Sequence, residues 1–529
     1  MTQIELINEV KKDIKEVYLM NNYPWVIGYS GGKDSTCTTQ IIIETLKEMK
    51  NEGISLNKKV YIVSADTLVE NPMIVGTIHN AIKSMNILAK TENLPIEAHI
   101  IAPDFSNSFW ANLIGRGYPC PNQTFRWCTD RMKINPANSF INSIVDKYGE
   151  AIMILGVRDG ESNSRDRVLE RHTIEGRKLM RHTTMANAYV FAPIRCFSID
   201  DVWFYLLNNS SPWGQDNNDL YKLYLESSDD DYEMIFDEEQ KRKQIGGNSR
   251  FGCWVCTVVS KDKSLTSFID KGEVWLKPLR DFRDWLYSIR DEESKRMRRR
   301  MDGSIYFARI KKSDKGELII PAKGDRKKLT ITYDGEKWLD NENTEWVVFD
   351  GINSEDDAKH YISSKNVNLH DGSNPHIIIK RIDDEYAQLG PGPFTFAARE
   401  EMLVNLMRLQ RHIGDKYQLF KYEELLAIRK IWFKQGVWED KVSKIYFDVF
   451  GKELNLVSDD IVQFNQKDLE ILNDICTHEK MNLQIVQEIL NVEKKYMGFN
   501  NRTEVNKMLK KLLSKEMIQI EIQGESDEN

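Results

Sequence analysis

Six consecutive residues, Ser30-Gly31-Gly32-Lys33-Asp34-Ser35, combine two glycines, two hydroxyls and an ammonium, the groups that hold an anion. They follow an apolar run, Trp25-Val26-Ile27-Gly28-Tyr29, that reads as a buried strand. They precede Cys37, Ile41, Leu46 and Met49, which recur at roughly helical spacing. A turn into a helix leaves backbone N–H groups unpaired and carries a partial positive charge, so phosphate is its natural occupant. The stretch is not the Walker A pattern, because the lysine follows the glycines directly. A plain glycine-rich strand-to-helix turn is the structural alternative. Position argues against it: this turn opens the first helix of an α/β sheet, where ligands sit at the carboxyl ends of strands.

A second set of residues is built from thiols. Cys253-Trp254-Val255-Cys256 is a C-x-x-C in a loop flanked by Gly246, Gly247 and Gly252, while Cys120 and Cys128 lie in YPCPNQTFRWCTDRMKINP. Two cysteines from each of two loops make four thiolates, the ligand count of a [4Fe–4S] cluster or of a tetrahedral zinc site, and the spacing does not choose between them. Only the fold can bring the pairs together. Cys37, Cys196 and Cys476 read as core residues.

The elements that must position these residues alternate. Val60–Ala65, Ala98–Ala102 and Ile152–Val157 read as further strands, with a helix over Met73–Leu88, which implies a parallel sheet covered by helices on both faces. Ser198-Ile199-Asp200-Asp201 fits a capping box opening a helix. Beyond about residue 330 the character changes. A short hairpin is expected around Asp334-Gly335, then a polar irregular stretch, then mostly amphipathic helix from Ala397. The expected division is 1–215 for the nucleotide domain, 216–330 for an extension carrying the second cysteine pair and 331–529 for a mainly helical C-terminal region. Residues 468–520 have a helix-turn-helix flavour that plain packing also explains.

The 529 residues carry a net charge of −8, 41% hydrophobic and 29% charged residues, and seven cysteines. That balance is unlike a general nucleic-acid binder, so docking on nucleic acid falls to a local patch or a partner. Lys295–Arg300 and the arginine-rich stretch from Arg165 through Arg181 are such patches, with a solvated surface as the alternative. So few cysteines in so long a chain argue against a disulfide framework. No apolar run reaches the length of a membrane span, and the start reads as a charged amphipathic helix rather than a signal peptide, so a cytoplasmic location is expected.

Ser30–Ser35 resembles the pyrophosphate loop of the PP-loop ATP pyrophosphatases, which cleave ATP between the α- and β-phosphates. The resemblance implies that the loop grips the departing pyrophosphate, that Lys33, Asp34 and Ser35 are catalytic, and that Asp34 and Asp66 hold Mg²⁺ or the nucleotide. Asp66 is equally a turn or cap residue. Cys128-Thr129-Asp130-Arg131-Met132-Lys133 and Gly156-Val157-Arg158-Asp159-Gly160-Glu161-Ser162 with Arg165 resemble segments of the phosphoadenosine-phosphosulfate reductase branch. Arg158 and Arg165 would contact phosphate or substrate there, with surface pairing as the alternative. The chain lacks a cysteine after Cys476, which departs from the assimilatory reductases.

With the two cysteine pairs, the PWGQDNNDLYKLY stretch and Gly390-Pro391-Gly392-Pro393-Phe394, residues 20 to 430 resemble the DndC family, the PP-loop iron–sulfur proteins of DNA phosphorothioation systems. The resemblance implies ATP, Mg²⁺ and a [4Fe–4S] cluster on Cys120, Cys128, Cys253 and Cys256 as cofactors. It also implies a DNA substrate, a cysteine desulfurase as sulfur donor and other proteins of the system as partners. A sulfonucleotide reductase, a tRNA thiolase and a non-catalytic ATP-switched module of a defence complex are the alternatives.

Overall fold

A computed structural model describes residues 2–160, most of 178–226, most of 252–454 apart chiefly from 321–327 and 363–375, and parts of 167–172 and 466–513. It divides into two units, residues 1–109 with 121–283, and residues 110–120 with 284–529.

The first unit is an α/β sheet. After a helix α1 (Gln3–Leu19) come β1 (Trp25–Gly28), α2 (Lys33–Asn51), β2 (Val60–Ala65), α3 (Pro72–Thr91) and β3 (Ile96–Ile101). Then follow α4 (Asn135–Tyr148), β4 (Ala151–Ile154), β5 (Met180–Arg181), β6 (Ala188–Phe191), α5 (Ile199–Asn208) and α6 (Asn217–Glu226). The six strands run in the order β3-β2-β1-β4-β6-β5. All neighbours are parallel except β5 with β6. The chain therefore winds outward from β1 to β3 and then crosses back to lay β4 on the other side of β1. Between the carboxyl ends of β1 and β4 the direction reverses, which opens a crevice at that point.

Both faces of the sheet are covered, as a parallel sheet requires. Trp25, Ile27 and Ile62 pack on one side with Ile41, Leu46 and Trp203. Val26, Tyr61 and Val63 pack on the other with Ile141 and Ile144 of α4. The capping box at α5 is present: the Ser198 hydroxyl accepts the Asp201 N–H, and Asp201 accepts from the Ser198 backbone.

In the second unit, the hairpin expected at Asp334-Gly335 forms, but it belongs to a closed seven-stranded barrel. Its strands are β7 (Phe307–Lys312), β8 (Leu318–Ile320), β9 (Leu329–Tyr333), β10 (Trp338–Asp340), β11 (Glu345–Asp350), β12 (Ile377–Lys380) and β13 (Tyr386–Leu389). Period-two alternation divides the side chains. Ile378 joins Ile310, Leu318, Ile331 and Trp346 in one cluster, while Ile377 and Ile379 join Phe349, Ile352 and Leu389 in another. The strands are short and interrupted by acidic turns, so the sequence reads as irregular where the ladder is in fact complete.

Helices follow the barrel: α7 (Phe396–Ile413), α8 (Tyr422–Lys434) and α9 (Lys441–Phe450). They enclose the π-helical turn Ala111–Gly115. The Trp110 indole donates to the Leu419 carbonyl (2.8 Å), the Trp432 indole to the Ile114 carbonyl (3.0 Å), and buried Arg399 to the Gly115 carbonyl (2.6 Å). Gly117 has φ +77°, and a Cβ there would lie 2.8 Å from the Phe394 carbonyl oxygen. Gly117→Ala is expected to destabilise this unit by about 1–3 kcal/mol, read as a lower denaturation midpoint.

The proposed basic patch at Lys295–Arg300 is not an open one. Arg296 and Arg298 are buried; Arg296 donates to the Gly392 carbonyl (Nε, 2.7 Å) and the Arg290 carbonyl (2.7 Å), and Arg298 pairs with Glu293 (2.7 Å). These guanidiniums tie loops together, which removes them from a docking surface. Residues 173–177 and most of 161–170 lie outside the described residues, as do parts of 468–520. No helix among the described residues is long and apolar enough to cross a membrane.

Candidate active site

The crevice at the β1–β4 reversal opens into a cavity of about 1010 Å³. Ser30, Gly32, Lys33, Asp34 and Ser35 line it, with Gly156 and Arg158 from beyond β4, Glu70, Lys133 and Tyr224. The loop is shaped by its own small residues. Gly31 takes φ +71°, and a Cβ there would meet the Ile78 side chain at 2.7 Å. The Ser35 hydroxyl accepts the Ser30 N–H (3.1 Å) and donates to the Gly32 carbonyl (3.0 Å), folding the turn back on the helix it begins. Gly32 is the N-cap of α2 and supplies no side-chain cap.

The charged groups of the loop are close together. The buried Lys33 ammonium lies 3.1 Å from the Asp34 carboxylate, and Arg158, also buried, donates to the same carboxylate at 2.5 Å. Arg158, expected at phosphate or substrate, thus also holds Asp34 in place. On the backbone side, Gly156 presses against the start of α2: a Cβ there would be 2.7 Å from the Asp34 carbonyl oxygen and 2.9 Å from the Ser35 nitrogen. Asp66 is not among the cavity-lining residues. Its carboxylate accepts the Leu68 N–H (2.8 Å), at a non-glycine position with φ 66°, and stands 3.3 Å from His79. Arg165 lies outside the described residues.

Three of the predicted thiols belong to the first unit and interact there. Cys253 forms a β-bridge with Glu70, its thiol lies 3.4 Å from the Thr67 hydroxyl, and Trp254 N–H donates to the Val69 carbonyl (3.1 Å). The Cys256 carbonyl accepts from buried Arg283 (2.7 Å) and Thr257 donates to the Pro121 carbonyl (2.7 Å), so the C-x-x-C loop is anchored from several directions.

Burial pushes the Cys253 thiol well up, with Glu70 adding to the shift and Lys133 opposing it. Burial likewise raises Cys128, and the neighbouring Cys256 adds to that. Lys133, 3.6 Å from Glu70, loses charge stability to burial but regains more from Cys253 and Glu70, so its pKa is raised. Cys120 belongs to the second unit, where burial lifts its thiol to about 12. Among the described residues, no three His, Cys, Asp or Glu side chains are arranged to hold a metal ion. Cys128, Cys253 and Cys256 influence one another without forming such a set. Of the cysteines expected in the core, Cys37 and Cys476 are buried, whereas Cys196 is exposed in the turn after β6.

A glycine-rich turn at a sheet's switch point thus opens on the cavity, and Glu70, which lines that cavity, bridges to Cys253 of the C-x-x-C loop. Residues 24–259 match the phosphoadenosine phosphosulfate reductase domain family. The matched span contains the Ser30–Ser35 loop, the cavity residues and the three thiols of the first unit. An uncharacterized protein of Methanocaldococcus jannaschii is 24% identical over 273 residues, 51% of this chain. The chain spans 44% of that relative's length. Among solved structures, the Candida glabrata FMN adenylyltransferase with FAD and inorganic pyrophosphate is 12% identical with a TM-score of 0.28, over 47% of this chain and 73% of that one. The U34-tRNA thiolase of Methanococcus maripaludis with its [4Fe–4S] cluster is 11% identical with a TM-score of 0.25, over 54% of this chain and 80% of that one.

Two residues of the first unit escape a motif reading. Tyr224 accepts the Lys33 N–H (3.2 Å) from 191 residues along the chain. Gly156 matters through the backbone it lies against. The PWGQDNNDLYKLY stretch was the only available signal for Tyr224: Asn217 within it donates to Gln40 of α2 (3.0 Å) and to the Leu206 carbonyl (2.9 Å), docking α6 beside the cradle.

Proposed function

We propose that this protein is an ATP pyrophosphatase of sulfur transfer that activates a DNA backbone phosphate and replaces one non-bridging oxygen by sulfur. The observation that carries the reading is the continuity of one wall: Glu70 and Lys133 line the nucleotide cavity and also act on Cys253. The Glu70–Cys253 bridge supports a reading in which the thiol loop serves the chamber that the Ser30–Ser35 loop lines.

The chemistry follows from leaving groups. A phosphodiester oxygen departs very poorly, so it must be activated. A DNA phosphate oxygen attacks the α-phosphorus of ATP, the bond to the β-phosphate oxygen breaks, and pyrophosphate leaves. Lys33 and the loop amides stabilise the negative charge that accumulates on the leaving group. A sulfur nucleophile of the hydrosulfide class then attacks the DNA phosphorus, and AMP leaves with the original oxygen. Mg²⁺ bound with the nucleotide would supply charge shielding of the phosphates beside Lys33 and the loop amides.

A cysteine desulfurase supplies the sulfur in this reading, and other proteins of a phosphorothioation system present the DNA. A [4Fe–4S] cluster with Cys128, Cys253 and Cys256 among its ligands would supply sulfur-carrying or electron-transfer chemistry. A tRNA thiolase or sulfonucleotide reductase reading shares the nucleotide half and differs in the acceptor.

Mass spectrometry of nuclease-digested DNA from cells carrying the intact system is the direct test. Phosphorothioate dinucleotides are expected, and Cys256→Ser is expected to remove them. Thiolated tRNA with unmodified DNA would overturn the acceptor assignment. For the metal, anaerobically purified protein is expected to contain about four irons per chain, falling in the Cys256→Ser variant; stoichiometric zinc without iron would point to a structural site.

A further inference from the structure

The helix that begins at Lys33 lacks a side-chain cap of its own, and a phenol from α6 fills the place. Tyr224 Oη accepts the Lys33 N–H at 3.2 Å, the Lys33 ammonium lies 5.3 Å from the centre of its ring, and the nearest atom to a Cβ built on Gly32 would be the same oxygen, at 3.2 Å. The ring is buried and held edge-on by Trp203 of α5, with centroids 5.3 Å apart. Tyr224 also lines the cavity. The phenol oxygen therefore occupies ground where an anion at a helix N-terminus would accept its hydrogen bonds, on an anchored side chain.

We propose that Tyr224 is a further catalytic residue of the pyrophosphate cradle. A phenol accepts and donates through one oxygen. Taking the Lys33 amide proton, it offers its own O–H to the pyrophosphate oxygen that gains charge as the bond to the α-phosphorus breaks. The backbone donor is thereby extended by one oxygen into the chamber. Its rigidity matters, because a donor already aimed at the developing charge needs no reorganisation during the reaction. This assignment rests on the ATP pyrophosphatase reading.

The test is Tyr224→Phe in the full chain, with pyrophosphate release followed at varied ATP. The ring and its packing on Trp203 are kept while the cap on the Lys33 N–H is lost, so the chain is expected to stay folded with a small fall in melting temperature. A donor that acts mainly on the leaving group predicts a fall in kcat of about 10- to 100-fold, with KM for ATP changing less than about threefold. Inhibition by added pyrophosphate should weaken as well. A kcat within twofold of the parent, or a loss confined to KM, would overturn the assignment. Lys33→Met assayed in parallel separates the two levels: if it is inactive and Tyr224→Phe is not, only the tyrosine's role fails; if it is fully active, the nucleotide reading itself fails.

Discussion

Lys33→Ala is expected to lower pyrophosphate release by about 100- to 1,000-fold, the range for removing one preorganised charge-stabilising donor. The expectation comes from the geometry of the ammonium. It is buried, it lines the cavity, and it lies 3.1 Å from Asp34. A triphosphate entering the cradle offers a stronger concentration of negative charge than one carboxylate. Asp34 retains Arg158 when Lys33 is removed, so no buried carboxylate is left unpaired and the sheet is expected to stay folded. Lys33→Met, which keeps most of the side-chain volume, guards against a packing defect being taken for a chemical one. Unaltered ATP cleavage in both variants would remove the loop from the mechanism.

Gly156→Ala should be nearly as severe for a different reason. The added methyl would lie 2.7 Å from the Asp34 carbonyl oxygen, 2.8 Å from the Asp34 carbonyl carbon and 2.9 Å from the Ser35 nitrogen. All three are backbone atoms in the first turn of α2, so no side chain can swing away to make room. Either β4 separates from the helix or the cradle shifts as a body. Overpacking of this kind costs about 1–3 kcal/mol of stability, and a displacement of about 1 Å at the reacting groups costs about 100-fold in rate. The paired control is Gly76→Ala on α3, where an added Cβ meets nothing within 4 Å. That change is expected to be silent in activity and to raise stability by up to about 1 kcal/mol. Equal effects at the two positions would show that close approach at Gly156 is not what positions the loop.

Both predictions mark where local sequence ceases to inform. The strand-to-helix turn was legible in six residues because its features are local: glycines, hydroxyls and an ammonium stand side by side between an apolar run and a helix. The strands were legible for a similar reason. Val60–Ala65, buried on both faces, reads as a continuous apolar run, and the structure gives it those bounds. The barrel was far less legible. Its strands are three to six residues long and alternate between two small clusters, so no single segment carries enough periodic signal to stand out from loops. The arginines of Lys295–Arg300 looked like a charged surface because composition does not report burial, and Arg296 and Arg298 proved to be internal ties.

What the sequence determined by itself is the glycine-, hydroxyl- and ammonium-bearing turn at Ser30–Ser35, the winding of a parallel sheet behind it and the presence of paired thiols. Each depends on residues near one another in the chain. Only the tertiary structure decided that Tyr224 caps the cradle, that Gly156 braces it, that Arg158 is tied to Asp34, and that Glu70 and Lys133 join the nucleotide chamber to Cys253. Those relations arise where separate crossovers return to the same end of the sheet. Side chains far apart in sequence come within hydrogen-bonding reach there only after the strands have paired, and one chain read residue by residue carries no record of that pairing.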